Sequence, residues 1–369
     1  MSISQSEYRS IKEKSVSGRY VVNEQILEFL EKNEEQLLIK TVGKSVQDRE
    51  IKSLQLGNGP IKILMWSQMH GNESTTTKAV LDFVNFLNAG SASAKLILEQ
   101  CTLLIIPILN PDGAAVYTRI NANEVDLNRD AQNRTQPESV VLKNVFDGFK
   151  PNYCFNLHDQ RTIFNVGRTP RPATVSFLAP AHDPERSISR TRGISMQLIV
   201  AMNQVLQEVI PGQVGRYDDG FNANCVGDSF QMLNVPTILF ESGHYTEDYE
   251  REYTREYIFH AILQGVTVIA KNTIDNFQQD DYFKIPENGK LFVDVLIKNA
   301  HVIDSSLKNG EAIGVLYKET LKAGVIAFEP LVDKKGALVE CYGHITYDCL
   351  NEANLNELRQ QSFYQMIKG

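Results

Sequence analysis

Four short stretches of the chain, residues 61–66, 103–109, 153–157 and 236–240, are almost continuously apolar and rich in β-branched side chains. Runs of that length without polar alternation predict strands buried on both faces. Between them the apolar period lengthens. Val80, Phe83, Val84 and Leu87 share one face of a helix over 74–89, with Ser74 as its cap. Pro137 opens a second helix through Val141, Val145 and Phe149, and Ile194, Leu198, Met202, Val205 and Val209 mark a third. Strand and helix alternate, so the expected fold is α/β: a central sheet with helices on both faces, binding ligands beyond the carboxyl ends of its strands.

The texture changes after a helical stretch at 247–273, where residues 276–281 are polar and aperiodic. This divides the chain into a large α/β domain at 1–275 and a small β-rich domain at 285–369. In the latter, Leu291, Val293, Val295 and Ile297 alternate with their neighbours, 312–317 and 338–347 read as further strands, and 351–367 reads as a closing helix. No internal repeat or low-complexity tract interrupts this plan.

Composition narrows the functional classes. With 369 residues, 42% hydrophobic and 22% charged, the chain is in the globular range. A net charge of -8 with no basic run argues against nucleic acid or an anionic membrane as partner. The polar N-terminal stretch and the lack of any run of about 18 apolar residues lead us to expect a soluble, cytoplasmic protein. Cys101, Cys154, Cys225, Cys341 and Cys349 are odd in number, irregularly spaced and without a CxxC pair, as expected of thiols in a reducing compartment.

Each buried run delivers polar residues at its end. His70-Gly71-Asn72-Glu73 offers an imidazole and a carboxylate three residues apart, the ligand types of zinc, whose hydrolytic sites use three protein ligands and leave one position open. His158, again at a strand end, is the preferred third ligand. His182 and His244 are alternatives, while His260, His301 and His344 read as ordinary packed or surface histidines. Asn110-Pro111-Asp112-Gly113 alone reads as a solvated turn. With Arg119, Asn128 and Arg129 following, the loop carries planar cations suited to a carboxylate or an oxyanion. Glu241, directly after the last run, faces either a surface ion pair or a site in which it acts as general base.

In this order, HxxE, NPDG, RxN, DLNRD, LHD and a Glu after a late apolar strand resemble the zinc carboxypeptidase family, the carboxypeptidase A-like metallopeptidases. The likeness runs from about Gly43 to about Thr273. It implies a mixed, mostly parallel sheet, and one zinc per chain on His70, Glu73 and His158, with Glu241 as general base. It further implies that Arg119 polarises the scissile carbonyl, Asn128 and Arg129 grip the substrate carboxylate, Asp126 orients His70, and Tyr217 covers the substrate. Tyr245 and Tyr249 compete for that last role. The implied substrate is a peptide with a free carboxylate. An N-acyl amino acid cleaved by an aspartoacylase-like or succinylglutamate desuccinylase-like deacylase is the alternative, and a catalytically silent carboxylate-binding relative is a third reading. Two departures stand out: Glu124 where the family usually has glycine, and the polar Asp159-Gln160-Arg161 after the third ligand. Asp228 lies in the stretch near 226–229 expected to shape the side-chain pocket, where it is either a solvated loop residue or a partner for a basic side chain.

Overall fold

In the computed structural model, which describes residues 3–369, the four apolar runs lie side by side and mutually parallel. The strands of the main sheet are β1 (Leu38–Lys44), β2 (Glu50–Leu56), β3 (Ile61–Trp66), β4 (Cys101–Ile106), β5 (Tyr153–Asp159), β7 (Val175–Leu178), β8 (Val214–Arg216) and β9 (Thr237–Ser242). Their order is β1-β2-β4-β3-β5-β9-β7-β8. The edge strand β1, the β2/β4 pair and the β7/β9 pair are antiparallel, so the sheet is mixed and mostly parallel, as expected. β6 (Asn165–Val166) pairs outside it with β10 (Asn288–Gly289).

Because successive strand side chains point to opposite faces, Ile63 and Met65 of β3 enter one apolar cluster while Leu64 and Trp66 enter another. β4 repeats this with Leu103 and Ile105 against Leu104 and Ile106. The larger cluster is covered by α1 (Gln5–Ile11), α2 (Asn23–Lys32), α3 (Thr75–Asn88), α4 (Ala92–Gln100), α7 (Arg190–Val209) and α9 (Glu252–Ala270). The smaller is covered by α6 (Pro137–Phe149) and α8 (Val226–Met232). β4 ends at Ile106, three residues before the apolar run does, because Pro107 turns the chain and its carbonyl accepts from Ser67 Oγ and Thr77 Oγ1.

Even the polar face of α3 is buried, so its charges are paired. Lys78 meets Glu252 at 2.5 Å, and Asp82 takes two guanidinium bonds from Arg255 on α9 at 2.6 and 2.7 Å. Asp82 also accepts from Tyr8 Oη and the Glu13 amide, while Arg255 reaches the carbonyls of Glu13 and Val16. One buried ion pair thereby ties the N-terminal segment to two core helices.

The C-terminal region is sheet-rich, with β11 (Phe292–Lys298), β12 (Ala312–Lys322), β13 (Val325–Gly336) and β14 (Tyr342–Asp348) in the order β13-β12-β11-β14. β11 is buried at six of its seven positions, because Val295 and Ile297 pack on a core shared with α10 (Glu352–Arg359) and α11 (Tyr364–Ile367) while Val293 and Leu296 face a second cluster. The single closing helix expected over 351–367 is broken in two. At about 100° per residue a straight helix would carry Phe363 and Ile367 about 80° and 120° away from Leu355, whereas the break returns all three to one core. The β12/β13 hairpin extends well beyond the expected 312–317. Pro330 is tolerated in it because β13 is the edge strand.

Candidate metal centre

Strand register assembles the site. In the β5/β9 ladder His158 lies directly opposite Glu241, so two residues 83 positions apart become neighbours. The loop after β3 brings His70 and Glu73 to the same sheet edge. It contains Gln68 at φ 41°, a left-handed conformation that costs a side chain energy. Three hydrogen bonds hold Gln68 there, to the carbonyls of Val21 and Gly71 and from Thr77 Oγ1. Gly71 is required by close approach, since a Cβ there would come within 2.0 Å of the Gly113 carbonyl carbon in α5 (Pro111–Val116).

His70 Nδ1 lies 2.8 Å from one oxygen of Glu73, His158 Nδ1 lies 2.8 Å from the other, and the two ring nitrogens are 3.1 Å apart. All three residues are buried, and together they form a group positioned to hold a metal ion. His182 and His244 are not part of it. His244 lies buried against the rings of Tyr249 and His344. Asp126 meets His70 Nε2 at 3.0 Å, and Arg119 bonds both Asp126 (3.0 Å) and Glu73 (3.1 Å).

The charged groups act on one another across these short distances. Burial works to raise the Glu73 carboxyl, but His70 and His158 hold it well below the carboxylate range. Burial works to lower His70, but Glu73 and Asp126 keep it raised. For His158 burial prevails and lowers it, which favours the neutral imidazole that a metal ligand needs. Glu241 is pushed well above its ordinary value, first by burial and then by the negative charges of Glu73 and Asp159. Its Oε2 is buried without a hydrogen-bond partner among the described residues, as are Nε2 of His158 and both ring nitrogens of His244.

A cavity of about 720 Å³ opens beside this group and is also lined by Asn128, Arg129 and Tyr217. Asn128 Oδ1 accepts from the Val226 amide at the start of α8. Arg129 is exposed to the cavity without an ion pair among the described residues, touching only the Asn128 carbonyl and Cys225 Sγ. Tyr217 packs on Phe164, and burial with the nearby Glu241 and Glu73 raises its phenol. Tyr249 also lines the cavity, whereas Tyr245 packs on Tyr253 and Tyr257. Asp228 is a buried wall residue rather than a solvated one, and burial raises its carboxyl to about 6.

Two motifs turn out to be structural. Asn110 caps α5, and Asp112, instead of lying in a solvated turn, is buried and binds Ser45, the Gln47 amide and Arg49. Ser74 stands at the start of α3 but donates to the Arg19 carbonyl. The free amides of Thr75 and Thr76 are taken instead by Asp159, which also accepts from Ser242. Of the three polar residues after His158, only Arg161 is exposed at the cavity. Sequence reasoning missed the wall supplied by β12 and β13, including Tyr317, Lys318, Phe328 and Leu331. Its only signal was a weak alternation among charged residues.

Glu124 adopts φ 61°, the left-handed region in which glycine is at ease. Glu124→Gly is therefore expected to stabilise the protein by about 0.5–1 kcal/mol, read as a higher denaturant midpoint with unchanged metal content.

An α/β sheet carrying a His-Glu-His group at the carboxyl ends of its parallel strands is an arrangement that could hold a metal ion. The chain resembles the zinc carboxypeptidase family over residues 23–177, which match the model of that family. The match includes His70, Glu73, Arg129 and His158 and ends before Glu241. Probable carboxypeptidase 2 of Arthroderma benhamiae is 31% identical over 110 residues, 29% of this chain and 20% of that protein. Gamma-D-glutamyl-L-diamino acid endopeptidase 1 of Lysinibacillus sphaericus is 28% identical over 154 residues, covering 39% of each. The chain thus spans about a fifth of the length of the fungal relative. Among solved structures, a metallo-carboxypeptidase from Burkholderia cenocepacia shares the fold with a TM-score of 0.56 at 15% identity, over 68% of this chain and 69% of the other. Among the described residues no helix is long and apolar enough to cross a membrane.

Proposed function

We propose that this chain is a zinc-dependent metallopeptidase of the carboxypeptidase type, binding one zinc ion through His70, Glu73 and His158. The observation that carries this reading is the convergence of two imidazole nitrogens and a carboxylate beside Oε2 of Glu241, which has no hydrogen-bond partner among the described residues. Two nitrogens and an oxygen are a donor set suited to a hydrolytic zinc. When bound, zinc supplies Lewis-acid chemistry, polarising a carbonyl and making water a usable nucleophile near neutral pH.

The other roles belong to the chain's own side chains. Arg129, without an ion pair among the described residues, binds the substrate carboxylate together with Asn128. Arg119, oriented by Glu73 and Asp126, offers a fixed cation to the negative charge that develops on the scissile carbonyl oxygen. Glu241 takes a proton from the attacking water at Oε2 and returns it to the leaving amine. Asp126 orients His70 through Nε2, and Tyr217 closes over the bound substrate. Substrates of this reading are peptides or N-acyl amino acids with a free carboxylate. Five unpaired thiols support a reducing, cytoplasmic setting.

The test pairs elemental analysis with hydrolysis of a mixed pool of peptides and N-acyl amino acids before and after chelation. About one zinc per chain, lost in His158→Ala, and chelator-sensitive release of C-terminal residues are expected. Release of acyl groups alone would transfer the conclusion to the amide deacylase, and no metal with no turnover would overturn it. Arg129→Ala is expected to raise KM about 10- to 100-fold for free-carboxylate substrates and little for their amides. Equal effects on both would remove the carboxylate role.

A further inference from the structure

The cavity beside the metal group is bounded on one side by a different part of the chain. Tyr317, Lys318, Phe328 and Leu331 of the β12/β13 hairpin line it together with His70 and Glu241. The C-terminal sheet is anchored at its root, where the Phe292 amide donates to the Ile163 carbonyl at 3.1 Å and His344 Nε2 lies 2.8 Å from the Thr162 carbonyl. The hairpin is anchored a second time along its length. Glu319 pairs with the buried Arg19 at 3.0 Å and accepts from Tyr117 Oη. The ring of Tyr249 lies 5.3 Å from both Tyr317 and Phe328, and its hydroxyl donates to Asp294 at 2.9 Å.

Breaking a largely buried pair such as Arg19 with Glu319 leaves an uncompensated charge, so the hairpin is held in position. A fixed wall imposes a size limit. A cavity of about 720 Å³ is on the scale of a drug-sized ligand, which corresponds to a peptide of about two to four residues.

We propose that the β12/β13 hairpin is a fixed strap over the cleft that restricts the substrate to short peptides or acylated amino acids and excludes the C-termini of folded proteins. This rests on the hydrolytic reading above only for where the substrate sits. It adds the C-terminal region to the specificity machinery: the metal group, Glu241 and Arg129 act at the reacting end, and the hairpin decides how much chain can extend from it.

The decisive measurement is binding, by calorimetry, of peptides with a common C-terminus, from an N-acetyl dipeptide to a decapeptide. The protein is the zinc-loaded Glu241→Gln full chain, so that no ligand is consumed. Affinity is expected to fall about tenfold or more between the tetrapeptide and the hexapeptide. Two hairpin variants in the same background should reduce that fall to about threefold or less. Lys318→Ala with Leu331→Ala trims two exposed wall residues at little risk to folding, and Glu319→Gln weakens the second anchor. Uniform affinity along the series, or a cutoff that neither variant moves, would overturn the strap. Turnover of the short peptides by the unaltered enzyme is scored separately. Its absence would sink the hydrolytic reading while the length cutoff in binding still decided the strap, and failure of every peptide to bind would sink both.

Discussion

Glu241→Gln is expected to lower kcat by about 10²- to 10⁴-fold while zinc content stays at the unaltered level. The side chain stands opposite His158 in the ladder yet donates nothing to the His-Glu-His group, and its Oε2 makes no hydrogen bond among the described residues. Glutamine keeps the shape and removes the proton acceptor, so a structural role would leave the rate intact. In the unaltered protein the base works only when ionised. The rate should therefore rise with pH as Glu241 loses its proton, and this acid limb should vanish in the variant. A variant with full turnover would eliminate Glu241 as the base.

The largest expected effect on stability lies away from the site. Asp82→Ala should cost about 3–5 kcal/mol, a large fraction of the ~5–15 kcal/mol that holds a typical domain together. It removes the two short carboxylate bonds of the fully buried Arg255 guanidinium, leaving it the longer contact to Glu252 at 3.4 Å, and frees Tyr8 Oη and the Glu13 amide. Chemical denaturation would measure it. Asp82→Leu combined with Arg255→Met should recover much of the loss, because replacing both members of a buried pair removes the desolvation penalty along with the attraction. If the double variant is as unstable as the single one, the hydrogen bonds to the N-terminal segment, rather than the ion pair, are the main contribution.

The legible parts of the fold were those whose signal is local. The strands at 61–66 and 153–157 each carried an almost continuous apolar run, the Pro137 helix and the long helix after residue 190 each a clear apolar period, and all are present. Helix α4 was missed because its nine residues show little segregation of apolar positions. The hairpin was missed beyond residue 317 because Lys318, Lys322, Glu329, Asp333 and Lys335 interrupt it, and strand signals from composition fail where one face meets solvent. In the site, His70, Glu73 and His158 were legible as ligand types at strand ends. The roles of Asp112 and Asp159 were not, because a carboxylate facing backbone amides looks the same in sequence as one facing solvent.

What the sequence determined by itself is the alternation of buried strands with amphipathic helices and the delivery of His70, Glu73, His158 and Glu241 at strand ends. Both follow from periodicities that span a few residues. Only the tertiary structure decided that His158 and Glu241 sit side by side, that Asp159 rather than Ser74 takes the free amides of α3, and that the hairpin lines the cavity. These are pairings between residues dozens to hundreds of positions apart. They are selected by how whole faces pack, and a one-residue slip in β5 or β9 would turn His158 or Glu241 to the opposite face of the sheet.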